Sequence, residues 1–354
     1  MAQVNMTAVA QRAGVSTAAV SVALSGRIGR IKVSEATRER ILAAAAELGY
    51  SANPLGRSLV MQKSFLVALL GRESFFVFAL ETIKGIESVL REMDYSLLVY
   101  YDGSWAADQA RHLKLATERR SDGLILVGAP ESAEGTNHQR VEALRQSGLP
   151  LVQLYRPMYP DIPTVMVDHE AVGYQQVKQL LNSGHKRIVH VTHDSYLDDE
   201  LPGTHADALQ EWQGYQRAML DAGLEPRVLT YPIGYPHDFG YIRRASAPLI
   251  PALRDFTAAA CYCDFNAIAI SGLLQEAGLR VPQDFSLIGY NDAELAAAVS
   301  PGISTFALPL QEMGAAAARL LFGQMQGETR VCDLVLPPRF VSRDSIAKPT
   351  RRHS

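Results

Sequence analysis

The chain has 354 residues, 47% of them apolar and 20% charged, too long for one ordinary domain and too evenly mixed for a disordered tail or a fibre. The net charge of -3 conceals an asymmetry: residues 1 to 60 hold seven basic side chains (Arg12, Arg27, Arg30, Lys32, Arg38, Arg40, Arg57) against three acidic ones (Glu35, Glu39, Glu47), +4, which leaves -7 on the remainder. A basic head on an acidic body is the electrostatic footprint of a DNA-binding module joined to something else.

In chain order, Met6 to Arg12 reads as a helix with Asn5 as its N-cap, closed by the tight turn Ala13-Gly14-Val15. Ser16 caps a second helix, Thr17 to Leu24. A third runs from Glu35 to Leu48, with Ser34 as cap and Gly49 as a left-handed stop. Val9, Ala10, Val15, Val20, Leu24, Ile41, Ala45 and Leu48 recur at helical spacing and form one small core. Two short helices across a glycine-containing turn is the helix-turn-helix arrangement, although Ala-rich helix pairs of ordinary bundles share the pattern. The loop Arg27 to Lys32 carries three positive charges; phosphate contact and a merely solvated surface both fit it. Asn53 as N-cap and Pro54 in the first turn then begin a segment reaching Met61. A helix this short does not persist alone in water, so something must stabilise it.

Beyond residue 64, strand-like runs alternate with helical stretches. The strands are Phe65 to Leu70, Ser96 to Tyr101, Leu124 to Val127, Leu151 to Tyr155, Arg187 to Thr192, Ala258 to Cys263 and Phe285 to Tyr290. Helices such as Val77 to Met93, Tyr174 to Asn182, Glu211 to Ala222 and Phe265 to Ala277 fall between them, which predicts an α/β body of parallel sheets covered on both faces. Ligands of such sheets bind at the carboxyl ends of the strands, here Gly71 to Phe78, Tyr155 to Arg156, the segment after Thr192, Cys263 to Asp264, and Tyr290 to Asp292. No Gly-x-Gly-x-x-Gly or phosphate loop follows a strand, and no nucleophile elbow is present, which argues against an enzyme. The odd cysteine count (Cys261, Cys263, Cys332) predicts reduced thiols, and the nine histidines form no His-Glu-x-x-His pattern, so we expect no metal and no cofactor. No apolar run nears the roughly 18 residues that span a bilayer and no secretion signal opens the chain, so a cytoplasmic protein without a membrane partner is expected, and a periplasmic solute-binding protein is disfavoured.

"VNMTAVAQRAGVSTAAVSVALSG" resembles the opening of the lactose-repressor (galactose-repressor) family of bacterial transcriptional regulators, and "VSEATRERILAAAAELGYSANPLGRSL" is similar to its third helix and hinge. The likeness continues to "VSRDS" near residue 345. It implies a helix-turn-helix domain over 1–52 (motif about 6–25), a hinge helix over 53–63, and a body over 64–345 of two lobes with the type I periplasmic-binding-protein fold. It implies also a homodimer that represses from double-stranded palindromic operator DNA, with a small effector in the cleft between the lobes. Thr17, Ala18 and Val22 would meet base edges, with Ser16 and Ser21 nearer the phosphates. Hinge contacts fall on Asn53, Gly56, Arg57 and Leu59, Leu59 either wedging into the minor groove or packing on the body. The tail after residue 346 has no leucine heptad, which favours dimer over tetramer.

Effector residues carry over to Glu73, Phe76, Phe78, Glu211, Cys263, Asp264 and Asn291. Several positions depart from the family pattern. Val22 stands where a polar or basic residue is usual and Ala19 where a threonine is, leaving thymine methyls as the main readout. Glu211 replaces an arginine and Cys263 an asparagine. With the acids Asp194, Asp198, Asp199, Glu200 and Asp207 nearby in sequence, the effector is cationic or an unusual polyol, or effector binding has been lost.

Gly56 disfavours helix by about 1 kcal/mol relative to alanine. Gly56→Ala should therefore lower the ordering cost of the hinge in both subunits and raise operator affinity on the order of tenfold in a titration. A fall in affinity would mean that the backbone approaches DNA too closely for a methyl group.

Overall fold

The computed structural model describes residues 5–25, 33–50, 58, 61–72, 76–102, 107–118, 121–127, 136–159, 161–194, 206–232, 239–328 and 332–350. The loop Arg27 to Lys32, the hinge positions Asn53, Gly56, Arg57 and Leu59, and Glu73 lie outside the described residues, as do the acids Asp198, Asp199 and Glu200. The chain divides into two compact units, Met1–Phe65 and Leu66–Ser354.

The first unit contains helices α1 (Met6–Ala13), α2 (Thr17–Ser25) and α3 (Glu35–Glu47). Each start is fixed by a side-chain oxygen that accepts an otherwise unpaired backbone N–H: Asn5 from Ala8 at 3.0 Å, Ser16 from Ala19 at 3.2 Å and Ser34 from Thr37 at 3.3 Å. Gly14 and Gly49 stop α1 and α3 at φ 65° and 63°, a region open to glycine. Val9, Ala10, Ala13, Val20, Ala23, Ile41, Ala44 and Ala45 are buried, with Val15, Leu24 and Leu48 packed around them. The ion pair Arg12–Glu47 (2.8 Å) links α1 to α3, but both side chains are mostly exposed and solvent screens it.

The second unit holds two six-stranded sheets among the described residues. One contains β1 (Leu66–Arg72), β2 (Ser96–Asp102), β3 (Gly123–Val127), β4 (Leu151–Tyr155), β5 (Thr164–Val167) and β11 (Leu334–Leu336), in the order β11-β5-β4-β3-β1-β2 with every pair parallel. The other contains β6 (Ile188–His193), β7 (Val228–Tyr231), β8 (Ala258–Cys261), β9 (Ser286–Asn291), β10 (Ser304–Ala307) and β12 (Arg339–Val341), in the order β12-β10-β9-β8-β6-β7. It is parallel except at its edge, where β12 runs antiparallel to β10. The chain passes between the sheets three times, from β5 to β6, from β10 to β11 and from β11 to β12. The helices are α4 (Phe76–Glu92), α5 (Ala107–Glu118), α6 (Thr136–Gln146), α7 (His169–Asn182), α8 (Ala206–Asp221), α9 (Phe239–Ser246), α10 (Ile250–Leu253), α11 (Asp264–Glu276), α12 (Glu294–Ala298) and α13 (Leu310–Met325). None is long and apolar enough to cross a membrane.

Both faces of the sheets are covered, which is why their strands read as unbroken apolar runs. On β1, Val67 and Leu69 face a core shared with Ile86, Leu90 and Leu321, while Ala68 and Leu70 face another with Leu113 and Val141. In each sheet the winding order reverses beside the first strand, between β1 and β3 and between β6 and β8, and it is outside the carboxyl ends at such reversals that open α/β sheets leave a crevice.

Three element bounds differ from the sequence reading. Helix α7 begins at His169, where Asp168 accepts the Ala171 N–H at 2.9 Å, and α8 begins at Ala206. The first turn of α7 opens on His169 and Glu170, which hide its apolar period. Strand β8 ends at Cys261, so Cys263 is the N-cap of α11 and not a strand residue. Cys261, Cys263 and Cys332 are free thiols.

Helices α7 and α8 meet backbone to backbone. A Cβ at Gly173 would collide with the Glu211 carbonyl oxygen, and one at Gly214 with the Glu170 carbonyl oxygen. The same device joins α4 to α13, where Gly85 faces the Gln311 carbonyl and Gly314 the Thr82 carbonyl. Gly214→Ala should cost about 1–3 kcal/mol through overpacking. At Gly272, within α11, a Cβ meets only the end of the Arg243 side chain at 3.1 Å, so Gly272→Ala should be neutral or stabilising by up to about 1 kcal/mol. Urea unfolding of both variants checks the ranking, and the reverse order would refute the contact.

Candidate functional site

On α2 the apolar side chains Val20 and Ala23 turn into the core. Thr17, Ala18 and Ser21 are exposed, and Val22 is half-buried beside them. Residues three and four apart share a helix face, so Thr17, Ala18, Ser21 and Val22 form one strip away from that core. Ser16 spends an oxygen lone pair on the Ala19 N–H, which leaves its hydroxyl hydrogen free to donate outward.

In the second unit, the carboxyl ends of β6 to β9 bring His193, Tyr231, Tyr262, Cys263, Tyr290 and Asn291 to one end of the sheet. Gln176 of α7 fixes the layer above by donating to the carbonyls of Cys261 at 3.1 Å and Gly289 at 3.0 Å. Because Gly173 and Gly214 let α8 approach α7 so closely, Asp207 and Glu211, one turn apart on α8, join the same cluster.

The two carboxyls have opposite environments. Tyr262 donates its hydroxyl to Asp207 Oδ2 at 2.7 Å, and the Arg156 guanidinium lies 3.8 Å from Asp207 Oδ1. Although burial acts to raise it, the Arg156 charge, then His169 and the Tyr262 bond, hold the Asp207 carboxyl down at about 2. Arg156 follows β4 of one sheet and Asp207 belongs to the lobe of the other, so this pair bridges the lobes. Glu211 is fully buried, and neither carboxyl oxygen has a hydrogen-bond partner. Burial first, and the negative charge of Asp207 second, push its carboxyl well above the ordinary range. Burial also pushes the Cys263 thiol up to about 12, which makes it inert as a nucleophile.

Of the effector residues read from the sequence, the structure brings Glu211 and Cys263 together, with Asp264 next in chain and Asn291 half-buried at the end of β9 at φ 102°. Glu73 lies outside the described residues; Phe76 and Phe78 belong to α4, and their side chains are outside the description. His169 and Tyr262 were not singled out in the sequence, while Arg156 and Tyr290 were named there only as strand ends and Asp207 only as one of a run of acids. Among the described residues no group of three or more His, Cys, Asp or Glu is arranged to hold a metal ion. A surface hollow of about 580 Å³ is lined by Val281, Pro282, Ser300, Pro301 and Arg343 among others. These flank the amino ends of β9 and β10, the opposite end of the sheet from the cluster.

Asp264 also braces the fold. It is buried, accepts the Ala293 N–H at 2.7 Å, and fills the space where Gly289 lacks a Cβ. Burial raises its carboxyl to about 7 in spite of that bond. A raised acid keeps its proton in the folded chain while the unfolded chain has lost it, so this contribution is greatest below about pH 4 and is lost as pH rises toward 7. Between pH 4 and 7 the wild type should thus lose unfolding free energy relative to Asp264→Asn. A difference independent of pH would show that the carboxyl is ionised throughout.

Residues 5–53 match the family model for bacterial regulatory proteins of the lacI family, and residues 177–346 that for the periplasmic binding protein-like domain. The chain is 29% identical to the HTH-type transcriptional repressor CytR of Escherichia coli (strain K12) over 91% of this chain and 90% of that protein. It is likewise 29% identical to catabolite control protein A of Priestia megaterium, over 95% and 97%, and to the repressor PurR of Aliivibrio fischeri (strain ATCC 700601 / ES114), over 96% and 97%. Among solved structures it is similar to a transcriptional regulator CelR–cellobiose complex (26% identity, TM-score 0.67, 97% of this chain and 99% of that one). The lac repressor dimer bound to operator and the anti-inducer ONPF shares its fold (22% identity, TM-score 0.77, with the same coverage). With a matching helix-turn-helix, a matching body and relatives of this function along nearly its whole length, the chain is similar throughout to bacterial regulatory proteins of the lacI family and is a ligand-modulated DNA-binding regulator of transcription.

Proposed function

We propose that this regulator is a cytoplasmic repressor that binds a palindromic operator as a homodimer through α2, and that a small ligand between the lobes of its body alters operator affinity. In this reading residues 1–52 are the DNA-binding domain, 53–63 the hinge and 64–345 the effector-binding and dimerising body. The observation that carries it is the division of α2: Val20 and Ala23 are spent on the core, while Thr17, Ala18, Ser21 and Val22 are on the strip turned away from it. A helix of this size fits a major groove. Thr17, Ala18 and Val22 then read base edges, and Ser16 and Ser21 bond phosphates. Asn53, Gly56, Arg57 and Leu59 serve the hinge. The basic excess of the first 60 residues supplies sequence-independent attraction to the phosphates.

The ligand site in this reading is the cluster at the carboxyl ends of β6 to β9, with Glu211, Cys263, Asp264 and Asn291, to which Glu73, Phe76 and Phe78 contribute from the first lobe. The ion pair Arg156–Asp207 spans the two lobes, so a ligand that perturbs it has a direct route to their relative position. The matched relatives are regulators and not enzymes, in keeping with a site whose thiol is inert.

Selection of binding sites from random duplex DNA tests the proposal. An inverted repeat should emerge, bound with an affinity that falls steeply with salt, because each phosphate contact releases counterions. Val22→Arg should shift the recovered half-site toward guanine, worth about 1–3 kcal/mol of discrimination. Recovery of a single unrepeated site, or an unchanged half-site in Val22→Arg, would refute the dimeric reading or the role of Val22 respectively.

A further inference from the structure

We propose that the ligand of the second lobe carries a protonated amine, received by the Glu211 carboxylate; this rests on the ligand-site reading above and names the chemical class that the site selects.

Glu211 is fully buried and both its carboxyl oxygens lack a partner, a state that folded proteins seldom leave unanswered. Two of the hydroxyls near it are already committed. The Tyr262 hydroxyl is given to Asp207, and the Tyr290 hydroxyl shares a hydrogen bond with the His169 ring at 3.2 Å. Among the described residues, the charge acting on Glu211 is the like charge of Asp207 on the same helix. The groups facing it from the packed strands are Tyr231, Tyr262, Cys263 and Tyr290, all neutral in this environment. The cluster therefore presents two acids and no committed cation for the inner one.

Its aromatic surroundings favour the same class. The His193 ring stands edge-on to Tyr262 at 4.7 Å and to Tyr231 at 6.4 Å, and ring faces attract ammonium groups. The position is also where a ligand belongs, since His193 ends β6 and Tyr262 follows β8, the strands between which the sheet order reverses. A guest without donors would leave the two carboxyl oxygens as they are. An ammonium supplies three donors and the missing charge.

Proton balance gives the proposal a signature. Burial keeps the carboxyl of Glu211 protonated in the empty site. When an ammonium enters, the N–H donors bond to the carboxylate and the carboxyl proton leaves to solvent. Affinity should therefore rise toward tenfold per pH unit while the amine itself stays protonated. The neighbouring tyrosines and Cys263 remain protonated and Asp207 remains ionised over that range, whereas Asp264, raised to about 7, titrates within it, so the slope belongs to Glu211 when it survives in Asp264→Asn and is lost in Glu211→Gln.

Calorimetry and thermal shift on the full-length protein should use matched pairs differing in the amine: glucosamine with glucose, putrescine with 1,4-butanediol, and tyramine with 4-(2-hydroxyethyl)phenol. We expect at least one amine to bind ten times or more tightly than its neutral partner, with proton release and a rising affinity between pH 6 and 8. Glu211→Gln should weaken that amine at least tenfold and abolish the slope. The preference for an amine over its neutral partner is a property of the wild type and needs no variant to fold. Equal binding of the neutral partners, no binding by any amine, or full affinity in Glu211→Gln overturns the proposal. Operator binding, measured separately on the wild type, decides the regulator reading, so either can fail without the other.

Discussion

Helices α7 and α8 lie in contact through their backbones because Gly173 and Gly214 have no side chains to keep them apart. The cluster at the carboxyl end of the second lobe's sheet follows from that approach. It draws α8 over the sheet until Asp207 and Glu211 stand among residues from the carboxyl ends of four strands. The close packing also excludes water from Glu211, which raises its carboxyl well above the ordinary range and leaves both its oxygens without a partner. The glycine pair between α4 and α13 repeats the arrangement in the first lobe. The two lobes are thus built on one plan, a sheet wound in the order 2-1-3-4-5 with a glycine-mediated helix pair.

Two carboxyls one helical turn apart are consequently shifted in opposite directions. Asp207 is ionised because Arg156 reaches it from the other lobe and Tyr262 donates to it. Glu211 has neither, and burial decides its state. The pair that stabilises the charge of Asp207 is also the one that crosses between the lobes. Electrostatics inside the site and the relative position of the lobes are therefore coupled through a single guanidinium, giving the body a physical means of responding to what enters it.

The head follows a different economy. Its core is small and rich in alanine, so each helix depends on its cap: Asn5, Ser16 and Ser34 at the starts, Gly14 and Gly49 at the stops. Ser16 belongs both to this scheme and to the strip on α2 that is turned away from the core. A substitution there would affect helix stability and any phosphate contact together, whereas Thr17 and Ala18 are exposed and carry no such structural duty.

The sequence by itself determined the head almost completely. Its caps join residues three apart and its helical period is short, so the governing interactions are local and visible in the order of residues. It also determined the alternation that makes the body α/β, since strands buried on both faces must be apolar throughout. Only the tertiary structure decided the site. That Cys263 leaves its strand to cap α11, that β12 closes a parallel sheet in the antiparallel sense, and that Arg156 meets Asp207 all depend on chain segments far apart in sequence. Glu211 could be named from its position, but its isolation could not. A buried carboxyl is left without a partner when nearby donors are spent elsewhere, and the hydroxyls of Tyr262 and Tyr290 are committed by contacts that span 55 and 121 residues.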